Sequence, residues 1–307
     1  MPATDDPAVP PLLALAVAVF AISTSAILVR WSDAPNVIKA LYRVSFTVGA
    51  LAPLAARRRR RRRRSGERGR SIGRRDGAVA VGAGLLLAVH FVAWFESLGH
   101  TTVAASVTLV QSQPVFVVAG AWLLLDERVT RRGLLGIAVA LVGMVWLAFD
   151  PTGTTGSAAL SGTRYGNGLA VLGAVAAAGY VLAGRSLRRR LAVLPYVLVV
   201  YSACAFVLLA VAVARGHSLL SYPAHEWALF AAMALGPGVL GHTVVNWALG
   251  HVRSHVVSVS LLGEPVGSTV LAALLLSETP STGTLAGGAV VLVGIYLCAS
   301  ARRRVGT

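Results

Sequence analysis

Long apolar runs alternate with short polar segments along almost the whole chain. A membrane-spanning helix needs about 20 mostly apolar residues. Ten stretches meet that requirement: 12–30, 37–56, 77–96, 102–125, 133–149, 167–185, 195–214, 227–247, 254–276 and 284–301. These runs are too long for the alternating ten-residue segments of a closed barrel. The pattern therefore predicts an all-α integral membrane protein with ten transmembrane helices.

The composition supports this prediction and removes one alternative. Hydrophobic residues make up 56% of the 307 positions and charged residues only 13%, against about a quarter charged in a typical soluble domain. The net charge of +16 would favour nucleic acid, but no aromatic residues that could stack on bases interleave the arginines of the segment 57–75. We therefore expect no nucleic-acid partner. Cys204 and Cys298 each lie in an apolar run, so no disulfide framework is predicted.

The basic residues orient the chain, because cytoplasmic loops of membrane proteins are enriched in Lys and Arg. With the N-terminus inside, 23 of the 28 basic residues fall on the cytoplasmic side, mostly in the loop 57–76. The prediction is a multi-pass protein of the cell membrane with both termini in the cytoplasm. The arginine run 57–64 sets this orientation, and contact with anionic lipid headgroups is a second role for it.

An internal repeat appears when the sequence is shifted by 151 residues. Seventeen of the 50 positions from 98 to 147 are then identical. The informative matches involve Gly, His, Pro and Glu, which rarely coincide in apolar sequence: His100 with His251, Pro114 with Pro265, Glu127 with Glu278, Gly136 with Gly287 and Gly143 with Gly294. The predicted organisation is an N-terminal tail 1–11, a first repeat 12–149, an extracytoplasmic linker 150–166, a second repeat 167–301 and a tail 302–307.

Each repeat contains five spans, and this odd number places the second copy upside down relative to the first. Inverted repeats are typical of secondary transporters, in which one repeat rocks against the other around a midplane site. The repeat therefore favours transport of a small solute.

The chain resembles the EamA-like branch of the drug/metabolite transporter superfamily. The resemblance rests on residues 94–98, 101–114 and 123–128 with Gly136, on 247–249, 263–266 and 274–278 with Gly287, and on Arg43 in the second helix. It implies a central cavity lined by the first, third, fourth, sixth, eighth and ninth helices, and no cofactor. Members of that family move amino acids, other small metabolites and toxic compounds, so export of such a compound is expected. Protons are the candidate coupling ion, and a monomer or weak dimer is expected.

Glu264 is the clearest intramembrane charge. A charged residue at the bilayer centre costs roughly 2.5–3.5 kcal/mol on insertion scales. Glu264 lies ten residues into a span that starts near Ser254, and Pro265, which follows it, favours a local break in the helix. Two interpretations are open. Either Glu264 faces the cavity and binds a cationic group or a proton, or it is a neutral or ion-paired carboxyl that stabilises helix packing.

Lys39 and Arg43 share one face of the second helix, because they are one turn apart. Lys39 is near enough to the outer surface to extend its amine to it. Arg43 is deeper, and Glu96 is its candidate partner. A structural ion pair and a clamp for a substrate carboxylate are both open interpretations of Arg43.

Polar and aromatic residues at helical spacing suggest a small-molecule pocket. His90 and Trp94 are four residues apart, as are His242 and Asn246, and Trp247 follows. The two tryptophans are equally compatible with an interfacial belt. Weaker candidates of the same kind are Thr24, Gln111, Gln113 and Tyr180.

The main alternative from another class is an intramembrane hydrolase that uses His242, Asn246 and Glu264. Metal sites usually need three protein ligands, and no span contains a paired-glutamate motif. We therefore predict no catalytic residues and no metal site. A channel or a membrane scaffold is a further alternative.

Overall fold

A computed structural model describes residues 10–64, 72–125, 130–149, 157–188, 191, 193–241, 244 and 260–301. These residues form helices and no strand. The α-helices are α1 Pro11–Trp31, α2 Asn36–Arg64, α3 Arg74–Ser97, α4 Val103–Val110, α5 Gln113–Leu125, α6 Arg131–Phe149, α7 Ser157–Arg188, α8 Val193–Ala214, α9 Ala224–Met233, α10 Gly263–Leu275 and α11 Thr282–Ala301. A π-helical segment, Ala234–Gly241, continues α9.

The helices have the length and the surface of membrane spans. Six segments in the described part of the chain are long and apolar enough to cross a bilayer: Leu12–Trp31, Asn36–Arg57, Arg74–Ser97, Val103–Gly120, Gly162–Gly184 and Leu194–Ala214. Large apolar side chains point outward, with Phe20 60%, Phe206 71% and Leu274 74% exposed. Such a surface matches lipid rather than water. Since α4 with α5, and α9 with the π-helical segment, each form one span, the predicted all-α fold of ten spans is confirmed.

The fifth and tenth spans show that the repeat is inverted. A Cβ added to Gly136 on α6 would lie 2.8 Å from the carbonyl oxygen of Gly294 on α11. One added to Gly143 would lie 2.9 Å from the carbonyl oxygen of Gly287. The repeat matches Gly136 with Gly287 and Gly143 with Gly294. Replacing each glycine of the first contact by its equivalent in the other half therefore gives the second contact. Residue numbers increase along α6 in the direction in which they decrease along α11. The two equivalent helices therefore run antiparallel.

The packing of the other helices follows the same symmetry. Helix α3 packs against α7 and α8, while its counterpart, α9 with the π-helical segment, packs against α1 and α2. Helix α5 packs against α7, and its counterpart α10 packs against α1. The equivalent helices α2 and α8 pack against each other. Most interhelical contacts thus occur in pairs related by exchange of the halves.

Two boundaries differ from those that the sequence predicts. The arginines at 57–64 continue α2 rather than opening the predicted loop 57–76. Arginine is a good helix former, and cations are favourable at a helix C-terminus. Helix α7 begins at Ser157 and so includes most of the predicted linker 150–166.

Candidate functional site

The fourth and ninth spans are both interrupted at equivalent positions. A turn at residues 111–112 separates α4 from α5, and a turn at residues 261–262 precedes α10. Under the shift of 151 residues the two turns overlap. Pro114 is the second residue of α5 and Pro265 is the third residue of α10. Proline fits there because the first N–H groups of a helix have no intrahelical acceptor. The sequence predicted the break at Pro265 but not the matching break in the fourth span.

Glu264 lies where three spans from both halves meet. Its side chain is 5% exposed, and its Oε2 atom accepts a hydrogen bond from the Nε2 atom of Gln111. The Oγ atom of Ser268, one turn along α10, donates to the carbonyl oxygen of Ser23 on α1 at 3.0 Å. Ser23 Oγ in turn lies 3.4 Å from the carbonyl oxygen of Glu264. A buried carboxyl group in the first turn of α10 is therefore bound by the interrupted segment of the opposite half.

Arg43 is buried among aromatic rings. Its side chain is 5% exposed, and its Nη1 atom donates to Ser25 Oγ at 2.5 Å. The Cζ atom lies 5.0 Å from the ring centroid of Phe91, 5.9 Å from that of Trp94 and 5.8 Å from that of Phe95. These distances allow cation–π attraction. Within the described part of the chain, no carboxylate forms an ion pair with Arg43.

The expected partnership of Arg43 with Glu96 is wrong. Glu96 Oε2 accepts a hydrogen bond from Asn36 Nδ2 at 2.8 Å, and Glu96 Oε1 lies 3.4 Å from His100 Nε2. The glutamate stands one residue beyond Phe95, and its side chain points to the end of the bundle. The partner of Glu96 on another helix depends on the rotation of α3 about its axis. The spacing of residues along one helix does not determine that rotation.

His90 and Trp94 stack on the face of α3 that meets α7. His90 Nδ1 donates to the carbonyl oxygen of Gly173 at 3.0 Å, and the two ring centroids are 5.9 Å apart. Trp94 is 5% exposed, so it does not face lipid as a belt residue would. Its buried Nε1–H group has no acceptor among the described residues.

The other predicted site residues are placed as follows. Thr24 Oγ1 donates to the carbonyl oxygen of Ala21 in its own helix at 2.7 Å. Gln113 is half-buried at the start of α5. Tyr180 is half-buried on α7 against the main apolar core. His242, Asn246 and Trp247 lie outside the described residues.

Lys39 and Glu226 belong to a second polar group at the end of the bundle that carries the α1–α2 turn. Lys39 was expected to reach the surface, but it is 7% exposed and donates to the carbonyl oxygen of Val29 at 3.1 Å. Asp33, His225 and Glu226 hold potential metal-ligating atoms within 4.8 Å of one another. Both oxygens of Glu226 already accept hydrogen bonds, from Ser32 Oγ at 2.5 Å and from the backbone N–H of Asp33 at 2.7 Å. We therefore assign Glu226 to fastening α9 to the α1–α2 turn.

A network around Glu278, here called the Glu278 network, joins three elements at the same end. Glu278 Oε1 accepts a hydrogen bond from the backbone N–H of Val103, the first residue of α4, at 2.5 Å. Glu278 Oε2 lies 3.5 Å from Arg30 Nη2 on α1. Arg30 also donates to the carbonyl oxygen of Leu98. The α10–α11 connection of the second half is thereby tied to α1 and α4 of the first.

The sequence interpretation missed several residues that complete these contacts: Ser23, Ser25, Phe91, Phe95 and Ser268. A signal existed for two of them, because Phe91 lies three residues before Trp94 and four before Phe95, and these spacings place its side chain next to each of theirs on the helix surface. The serines gave none, since hydroxyl groups in membrane helices usually bond to neighbouring backbone.

Comparison with known proteins agrees with this architecture. The model of the EamA-like transporter family matches residues 10–149 and again residues 164–300. The pseudopaline exporter CntI from two strains of Pseudomonas aeruginosa is 25% identical over 229 residues, which cover 74% of this chain and 76% of that protein. A solved crystal structure has the same fold, with a TM-score of 0.59, 21% identity, and coverage of 96% of this chain and 99% of that chain.

Proposed function

Because the chain belongs to the EamA-like transporter family, we propose that it exports a small organic metabolite by alternating access between its two inverted halves. The family match covers both halves, so membrane transport is the premise. The proposal adds the class of solute, the direction and the mechanism.

The hydrogen bond between Gln111 and Glu264 carries the proposal. Gln111 belongs to the interrupted fourth span of the first half, and Glu264 to the interrupted ninth span of the second. Interrupted helices of opposite repeats commonly form the substrate and ion sites of secondary transporters. Rocking of one half against the other would lengthen this contact. A polar contact between the halves that can break and re-form is compatible with alternating access.

Glu264 is the group that we propose for coupling to protons. A carboxyl group buried in a membrane is expensive when it is charged and marks an ion or proton pathway. Among the described residues no cation forms an ion pair with Glu264. No salt bridge among the described residues therefore holds its carboxyl group in the charged form.

Export is the proposed direction because the curated relatives are exporters. The match to the pseudopaline exporter spans about three quarters of both chains, so it includes spans from both halves. At 25% identity it supports the direction and leaves the solute to experiment.

The test uses the purified protein in liposomes that contain a pH-sensitive dye. Counterflow of pooled radiolabelled amino acids and small organic cations is measured for wild type and for Glu264→Gln. Asp33→Asn, an exposed carboxylate in the α1–α2 turn, is the matched control. We expect saturable counterflow and, during net transport down a solute gradient, a solute-dependent pH change in wild type and in Asp33→Asn, and loss of the pH change in Glu264→Gln.

The other outcomes separate the parts of the proposal. Flux without saturation or counterflow would contradict alternating access and favour a channel. Equal pH responses in Glu264→Gln and wild type would remove Glu264 from the coupling path. Movement of none of the pooled solutes would contradict the proposed solute class.

A further inference from the structure

Among the described residues, the buried guanidinium group of Arg43 forms no ion pair with a carboxylate, and Glu264 acts on it only from beyond ion-pair distance. Removing an ion from water costs several kcal/mol even after relaxation, so buried charges are normally paired. Within the described residues Arg43 has no carboxylate partner, and its one side-chain hydrogen bond goes to Ser25 Oγ. The three aromatic rings around it supply part of the missing stabilisation. An arginine has five N–H donors, so this environment leaves it able to bind an anion.

Trp94 provides an independent observation at the same place. Its Nε1 atom is buried and has no acceptor among the described residues, although a buried indole N–H usually finds a partner. The ring centroid of Trp94 lies 5.9 Å from Arg43 Cζ. A cationic donor and a neutral donor, both short of acceptors, are therefore adjacent on α2 and α3.

A carboxylate group is the complement of these two donors. It is planar, carries one negative charge and offers two oxygens, which suits an arginine fork and one further N–H donor. The rings of Phe91 and Phe95, centred 5.0 and 5.8 Å from Arg43 Cζ, would flank the group with apolar surface. A phosphate dianion would bring a second charge that no other described cation in this cluster offsets.

We propose that Arg43 and Trp94 bind the carboxylate group of the transported solute. This inference rests on the proposed function and adds to it the chemical class of the solute. Arg43 holds the charge, and the Trp94 N–H group fixes the orientation of the second oxygen. The apolar remainder of the solute lies against the aromatic residues of α3.

The first test measures binding to the purified full-length protein by its thermal unfolding in detergent. The probes are acetate, phenylacetate and 3-phenylpropionate, each compared with its primary amide and with phenyl phosphate. The key variant is Trp94→Phe, which keeps an aromatic ring and removes the N–H donor. Trp146→Phe, 52% exposed on α6, is the matched control, and Arg43→Lys and Arg43→Gln test the charge.

We expect the acids to raise the unfolding temperature of wild type and the amides to leave it unchanged. Trp94→Phe should weaken binding of the acids about tenfold, as loss of a hydrogen bond to a charged group would. Trp146→Phe should bind as wild type does. Arg43→Gln should abolish binding, and Arg43→Lys should retain part of it.

Several results would overturn the assignment. These are equal binding of acids and amides, equal affinities of Trp94→Phe and Trp146→Phe, stronger binding of phenyl phosphate than of the acids, or no binding of any acid to folded wild type. Counterflow separates this inference from the proposed function. Counterflow of neutral or cationic solutes alone would leave transport standing and remove the carboxylate site, whereas acid binding without any counterflow would leave the site and remove transport.

Discussion

The amide of Gln111 and the carboxyl group of Glu264 form a contact between the two halves that sequence spacing does not reveal. Residue types were informative here: a glutamate and a glutamine in apolar runs mark polar points in a membrane. Their partners were less predictable, as the wrong pairing of Arg43 with Glu96 shows. Partners on different helices depend on the rotation and depth of each helix, which a single sequence fixes only loosely.

Gln111→Leu should destabilise the protein by about 1–3 kcal/mol, because it leaves the buried Glu264 carboxyl group without its hydrogen-bond donor. The measurement is unfolding of the purified protein in detergent. Gln113→Leu, two residues away and half-buried, is the control and should have a smaller effect. In a double-mutant cycle, Gln111→Leu should cost much less in a Glu264→Leu background. Additive effects would contradict the contact.

At the scale of elements, the sequence located spans well and their interruptions poorly. The turn at residues 111–112 lies inside an apolar run in which only Pro114 signals a break, and proline is also tolerated at the start of a continuing helix. The extension of α2 through the arginines was missed for a different reason. A run of like charges was interpreted as a loop, whereas the helix propensity of arginine and the preceding helix favour continuation.

Two glycine-to-alanine substitutions should change the free energy of unfolding in opposite directions, because only one of them lies in the packing of α6 on α11. Gly143→Ala should destabilise by about 1–3 kcal/mol, because the new methyl group would lie 2.7 Å from the backbone nitrogen of Val291 and must push the helices apart. Gly82→Ala on α3 meets nothing within 4 Å. It should stabilise by about 0.5–1 kcal/mol through helix propensity. Thermal unfolding of both variants in detergent checks the prediction, and equal signs would contradict the close approach.

The Glu278 network should hold α4 against the α10–α11 connection. Glu278→Gln removes the charge that faces both Arg30 and the N-terminus of α4, where an anion is favourable. We expect faster thiol labelling of a cysteine at Ser106, which is fully buried on α4, in a background without Cys204 and Cys298. Glu96→Gln at the same end of the bundle should leave the labelling rate unchanged. Equal rates in both variants would show that the network does not control access.

For the molecule as a whole, the repeat was the most informative feature of the sequence. The matches of glycine, proline and glutamate at one fixed shift reveal the repeat, and its odd number of spans places equivalent helices antiparallel. The glycine contacts of α6 and α11 confirm that arrangement. The first two spans of each half have diverged too far to align without a gap. The packing shows their equivalence: α2 packs against its counterpart α8, just as α6 packs against its counterpart α11.

The basic residues of the same sequence predict the orientation of the whole molecule in the membrane. The segment 57–75 carries twelve of the 28 basic residues, and the arginines at 57–64 form the end of α2. Replacing these eight arginines by glutamine removes the largest difference in positive charge between the two sides. We expect N-terminal and C-terminal reporter fusions to be cytoplasmic in the wild type and to become divided between both sides in the variant. Replacing the three arginines at 302–304 should leave the fusions cytoplasmic. Unchanged orientation of the 57–64 variant would assign the dominant signal to the later basic segments, and would leave the arginine helix free for a role at anionic lipid headgroups.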